Sequence, residues 1–164
     1  MAKQLYIGTK VINASEMTLG MFNHLMNRAT PSDKDPTEPG YLVEYQDGGA
    51  PNTALSDKYV SWSPKEVFEK AYKVNGKLPG HLAIAHLGDG GYARRNHWHP
   101  EEMVYYVPAN EYKAVTPTAK TFFGEEAMVP YKGYFARKTR DRSVEVYALT
   151  ADDLMANDWT IYNV

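Results

Sequence analysis

The sequence contains no cysteine. A disulfide framework, a thiolate metal site and a cysteine nucleophile are therefore excluded. No apolar run approaches the roughly 18 residues that signal a membrane span, and residues 1–10 lack the apolar stretch of a signal peptide. There is no dominance of either charge: 18 basic and 20 acidic side chains are mixed along the chain and leave a net charge of −2. Without a basic block or a basic helical stripe, duplex nucleic acid is not an expected partner. Missing too are the G-x-S-x-G elbow, the G-x-x-x-x-G-K phosphate loop and the H-E-x-x-H zinc motif. Internal repeats and low-complexity tracts are absent. These absences favour an intracellular protein of a reducing cytoplasm that binds something and performs no catalysis, with no cofactor and no metal.

Hydrophobic residues make up 43% of the 164 positions, enough for a packed core. Thirteen tyrosines and three tryptophans stand out. Their flat apolar faces and polar edges suit core packing, planar ligands or subunit contacts. The expected class is α+β: a small antiparallel sheet with short helices, preceded by a small α+β accessory unit. The accessory unit takes residues 1–73, a linker residues 74–80, and a binding module residues 81–164. The linker reading rests on KVNGKLPG, with two glycines, a proline and little apolar content.

In the first unit, residues 5–12, 41–45 and 58–61 read as strands, and residues 18–27 as a helix with Leu19, Phe22 and Met26 on one face. Ser63-Pro64-Lys65-Glu66 reads as a helix start, with Ser63 as cap, Pro64 at the first position and Glu66 closing a capping box. Val67, Phe68, Ala71 and Tyr72 would form that helix's apolar face. In the second unit, helices are expected at 82–87, 118–124 and 152–156, the last capped by Thr150. Strands are expected at 92–95, 103–107 and 159–164, with a hairpin of 134–139 and 144–149 around Arg140 to Ser143.

Chemistry concentrates in Arg94-Arg95-Asn96-His97-Trp98-His99. Guanidinium groups pair with phosphate oxygens in a bidentate way, and indole faces stack on nucleobases. A nucleotide diphosphate needs both. An equally physical alternative makes Trp98 a core anchor and leaves Arg94 and Arg95 solvated on opposite strand faces. His97 and His99 form an H-x-H pair near Glu101 and Glu102, but residues two apart on such a segment do not converge on one metal. Glu125-Glu126 and Asp152-Asp153 read as solvated charges, with Asp152 and Asp153 favoured at a helix N-terminus.

From these residues a resemblance emerges. The stretch LAIAHLGDGGYARRNHWHPEEMVYYVP resembles the opening of the second type of phage Thoeris anti-defence protein, at Ala83, Leu87, Gly90, Arg95, Trp98, Met103 and Pro108. KAVTPTAKTFFGEEAMVPYKGYFARKT is similar to the family's middle, ending at Lys138-Thr139, and DDLMANDWTIYNV to its close, at Asp153, Leu154, Ala156, Asp158 and Trp159. His97, His99 and Pro100 stand where the family has glycine and Asn-Gly around the first tryptophan, and Tyr147 where it has a further tryptophan. The first unit, with YIGTK, GYLVEYQDG and SWSPKEVF, resembles an accessory segment of phage proteins.

The resemblance implies a sponge. Such proteins bind a cyclic nucleotide immune signal of the glycocyclic ADP-ribose type in the host cytoplasm and starve the Thoeris effector of its activator. They assemble as homo-oligomers, dimers pairing into tetramers, and some members bind cyclic dinucleotides at a second site. The implied ligand-binding residues are Arg95, Trp98, His97, His99, Tyr105, Lys138, Asp158 and Trp159, with Trp98 stacking on a base and Arg95 more important than Arg94. Competing readings are an enzyme that degrades the signal and a non-nucleotide interaction protein that inhibits a host enzyme directly.

Overall fold

The computed structural model describes residue 5 and residues 10–162. The chain divides into two compact units, Met1–Lys73 and Val74–Val164. Helices and antiparallel strands are mixed in both, so the class is α+β.

The first unit contains, in order, β1 (Ile12–Glu16), α1 (Leu19–Leu25), β2 (Gly40–Tyr45), β3 (Val60–Pro64) and α2 (Lys65–Ala71). The strands form a sheet in the order β1-β2-β3. Thr18 starts α1 by accepting the Met21 N–H at 3.3 Å, which satisfies one of the donors a helix start leaves open. Phe22, Val43 and Val60 are buried, and the Trp62 indole N–H donates to the Met17 carbonyl at 2.9 Å. The strand expected at 5–12 lies largely outside the described residues; the described strand begins at Ile12.

The start of α2 departs from expectation. Ser63 pairs with Tyr41 inside the sheet, so Pro64 holds the cap position and no side chain caps the helix. A residue whose backbone is committed to a strand ladder has not turned its hydroxyl toward the next helical turn. The apolar face is also narrower than the pattern suggested. Phe68 stacks on Tyr41 at 4.1 Å and on Tyr72 at 4.9 Å, while Val67 and Ala71 are exposed.

The second unit runs α3 (Gly80–Gly88), β4 (Tyr92–Arg95), β5 (Met103–Val107), β6 (Asn110–Lys113), α4 (Pro117–Phe123), β7 (Met128–Tyr131), β8 (Tyr134–Lys138), β9 (Val144–Val146), α5 (Ala151–Met155) and β10 (Trp159–Tyr162). Its main sheet has the order β10-β4-β5-β8-β9, and β6 and β7 pair separately. On α3, Ala83 and Leu87 lie one turn apart and are both fully buried against the sheet residues Ala93, Val104 and Trp159. Gly90, at φ +91°, makes the left-handed turn from α3 into β4. Thr150 and Asp153 close a capping box at the start of α5.

Residues 74–80 belong to this unit's fabric, which corrects their reading as a linker. The Gly76 and Leu78 N–H groups donate to the Trp159 carbonyl at 3.1 and 3.2 Å, and Trp159 N–H returns a bond to the Leu78 carbonyl at 3.1 Å. The Asn75 amide donates to the Ile161 carbonyl and accepts the Ile161 N–H. Leu78, 6% exposed, enters the core. Glycine and proline mark turns, and here one leucine and the backbone's own hydrogen bonds fasten that turn beside β10.

Candidate functional site

Strand alternation sorts the chemistry of the second unit onto two faces. Directly paired residues share a face, and β4 pairs with β10 and β5 through Arg95↔Trp159, Ala93↔Ile161, Ala93↔Val104 and Tyr92↔Tyr105. β5 pairs with β8 through Val104↔Arg137, Tyr105↔Ala136 and Met103↔Lys138. One face therefore carries Ala93, Arg95, Val104, Arg137 and Trp159, and helices α3 and α5 close over it. The other carries Tyr92, Arg94, Met103, Tyr105, Lys138, Thr160 and Tyr162, and no described helix of the unit packs there.

Most of the predicted site residues lie on the helix-covered side. Trp159 is 1% exposed, with its indole N–H on the Asp153 carbonyl at 2.9 Å. Trp98 is 9% exposed and meets Trp159 and Tyr147 edge to face, each at 5.6 Å. The Arg137 guanidinium sits 4.5 Å over the Trp98 ring. The indole face that was expected to stack on a base is thus occupied by a side chain of the same unit, and Trp98 is a core residue. Arg95 is likewise engaged: it bonds to Asp158 through Nε and to Asp153 through Nη1, the latter at 2.9 Å, and lies over the Trp159 ring.

The electrostatics agree with a closed structural knot. Burial alone would raise the Asp153 carboxyl, but the Thr150 backbone N–H, the Tyr147 and Thr150 hydroxyls and Arg95 together hold it below the ordinary value. Asp158 is desolvated as well, and Arg95 and His97 outweigh that and lower it. Burial followed by the bond to Asp153 pushes the Tyr147 phenol up to about 12, so it stays a neutral donor. Arg95 and Asp158 are arranged to satisfy each other before any ligand arrives.

His97 and His99 lie in the exposed turn between β4 and β5. The His97 Nδ1 is 3.4 Å from Asp158, and the His99 ring accepts the Glu101 N–H at 3.3 Å. Among the described residues no three histidine, aspartate or glutamate side chains converge as a metal site.

The opposite face brings Tyr105 and Lys138 together with residues the sequence pattern had not singled out. Tyr162, Tyr92 and Tyr105 form one row across three strands, with the Tyr92 and Tyr162 rings 5.2 Å apart and 9° from parallel. Two residues along the strands, Arg94 and Lys138 are their cationic neighbours. Arg94 donates to the Tyr162 hydroxyl at 3.0 Å and to the Trp98 carbonyl at 3.3 Å. Lys138 donates to the Glu101 carbonyl at 2.9 Å. Among the described residues neither cation has a carboxylate partner, in contrast to Arg95. An aromatic row beside two unneutralised cations is chemically suited to a flat base joined to phosphate. The available signal was parity: Tyr92-x-Arg94, Met103-x-Tyr105 and Thr160-x-Tyr162 place these side chains on one face as soon as the strands are paired.

The second unit is thus an α+β module with a closed ionic core on one face of its sheet and a tyrosine-lined cationic surface on the other. Residues 81–162, half of the chain, match the model of the Thoeris anti-defense 2-like domain, and the chain belongs to that family. No curated protein matches the sequence.

Proposed function

We propose that the protein acts in the host cytoplasm as a sponge, binding a cyclic nucleotide signal of the glycocyclic ADP-ribose type without chemical change and so denying it to the Thoeris effector. Membership of the Thoeris anti-defense 2-like family carries this reading. The Tyr92, Tyr105 and Tyr162 row beside Arg94 and Lys138 supports it, because stacking and anion pairing are the two interactions such a ligand requires. His97 and His99, at the sheet's rim, are placed to contact a ligand that overhangs the turn. Arg95, Trp98, Asp158 and Trp159 contribute by holding β4 and β10 in register. The working form is a homo-oligomer, a dimer or tetramer, and a cyclic dinucleotide is the candidate for any second pocket.

The test is to incubate the protein with the cyclic nucleotide, remove free ligand, denature by heat and analyse what is released. Intact nucleotide is the expected result. A hydrolysed product identifies an enzyme. No retained nucleotide, with effector activity still suppressed, identifies direct inhibition of a host protein.

A further inference from the structure

Strands β5 and β8 are neighbours in the sheet, and their ends Val107 and Tyr134 are register partners. A two-residue turn would join them. Instead, residues 108–133 leave the sheet there and build an arm from β6, α4 and β7. The arm has a small core of its own, with Ala114 and Val129 buried, and Thr116 caps its helix by accepting the Ala119 N–H at 3.2 Å. Within the unit its described elements make their substantial contacts with one another.

The arm's surface is unlike that of a self-sufficient excursion. Phe122 is 77% exposed and Val115 78%, and Tyr112, Phe123, Met128 and Tyr131 are each about half exposed. Soluble monomers rarely leave that much apolar surface in so short a segment. Each aromatic side chain carries about 150–250 Å². At these exposures the six amount to roughly 600–700 Å², close to the about 800 Å² each partner contributes to a standard interface.

Charge selects the occupant. Residues 108–133 hold three lysines and three glutamates, and Lys113–Glu126 and Lys120–Glu125 pair within the arm at 2.5 and 2.9 Å. An arm with no net charge and self-neutralised ions has nothing to steer it to a charged foreign surface. It also carries no like-charge penalty for meeting its own copy in a two-fold contact, where each residue faces its symmetric counterpart's surroundings. We infer that the arm of residues 108–133 is a self-association surface, docking through Phe122, Phe123 and Val115 on a second copy of this chain. The inference rests on the oligomeric part of the proposed function and names the surface responsible.

The test is the mass of the full-length protein by light scattering after gel filtration. Two variants probe the arm: Phe122→Glu with Phe123→Glu, and replacement of residues 108–133 by Asn-Gly. Val67→Glu, at an exposed apolar position of the first unit, is the control. The expected result is a multiple of 18.5 kDa for the wild type and the control, and at least a twofold drop in mass for both arm variants with unchanged circular dichroism. A folded arm variant that keeps the wild-type mass overturns the arm assignment and leaves the oligomer reading intact. A wild type at 18.5 kDa overturns both. Should the replacement variant lose its structure, the double glutamate variant decides, because both phenylalanines are already exposed.

Discussion

Arg94 and Arg95 are neighbours in sequence and opposites in circumstance. Arg95 points under the helices, over the Trp159 ring, and is bound to two carboxylates. Arg94 points to the other face, bonded only to a tyrosine hydroxyl and a carbonyl. The first has spent its charge on the fold; the second retains it for something else. The same division separates Trp98 and Trp159, which are core, from Tyr92, Tyr105 and Tyr162, which line a surface. Richness in aromatics and cations is therefore not itself a binding signal. What matters is whether the fold has already supplied their partners.

The sharpest way to break this division is at Trp159. Trp159→Ala should lower the stability of the second unit by about 3–5 kcal/mol, the cost of emptying a large buried aromatic site, read from denaturant unfolding. Trp98→Ala should behave similarly, and a Trp98 variant of normal stability that loses only nucleotide affinity would restore the stacking role read from sequence. Arg95→Ala leaves Asp153 buried without its cation and should cost about 3 kcal/mol. Its effect should appear in the unfolding midpoint, and equal damage from Arg94→Ala would erase the contrast between the faces.

Acid offers a milder probe. Asp153 and Asp158 are held below their ordinary values in the folded protein. Ionised, they favour the folded state, so their contribution is complete above the unfolded value near about 4 and is lost as pH falls through the lower folded values. Stability should decline below about pH 4, and Asp153→Asn should flatten that decline, having already lowered stability at neutral pH. A pH profile that Asp153→Asn leaves unchanged would remove this carboxylate from the account.

On the other face, Arg94→Ala should leave the unfolding midpoint unaltered and weaken binding of the cyclic nucleotide about tenfold, or roughly 1.4 kcal/mol, by calorimetry. That reverses the ranking of the two arginines expected from the family pattern, and a folded Arg94→Ala protein with full affinity would move the site off this face. The smallest effect is expected from removing the first unit. A chain beginning at Val74 should fold and bind as the whole protein does, whereas one beginning at Lys77 loses the Asn75 and Gly76 bonds to β10 and should be less stable. Weaker binding by the Val74 chain, with its fold intact, would assign part of the site to residues 1–73.

Much of the second unit was legible because its signals are local. β4 and β5 occupy the expected residues, α5 carries the Thr150 cap, and β8 and β9 form a hairpin around Arg140 to Ser143. Asp141 stabilises that turn through the Thr139 and Ser143 hydroxyls, which lower its carboxyl to about 2. Strands β6 and β7 went unread, since Asn110–Lys113 has no apolar alternation and Met128–Tyr131 contains a proline. Each is a strand only because the other pairs with it. Ser63 failed as a cap for the opposite reason, its backbone being claimed by the sheet partner Tyr41.

The sequence by itself determined the class of the fold, the family, and the fact that arginines, tyrosines and tryptophans crowd into the second unit. Periodicity, capping residues and spacing are properties of neighbouring positions, and they survive without knowledge of the fold. Which of those side chains are consumed by packing was decided only in three dimensions. Asp153 and Asp158 reach Arg95 across some sixty residues of chain, and Arg137 covers Trp98 from a different strand. Such partners are chosen by strand register and helix placement, and a one-residue shift in register would have exchanged the two arginines and, with them, the faces of the sheet.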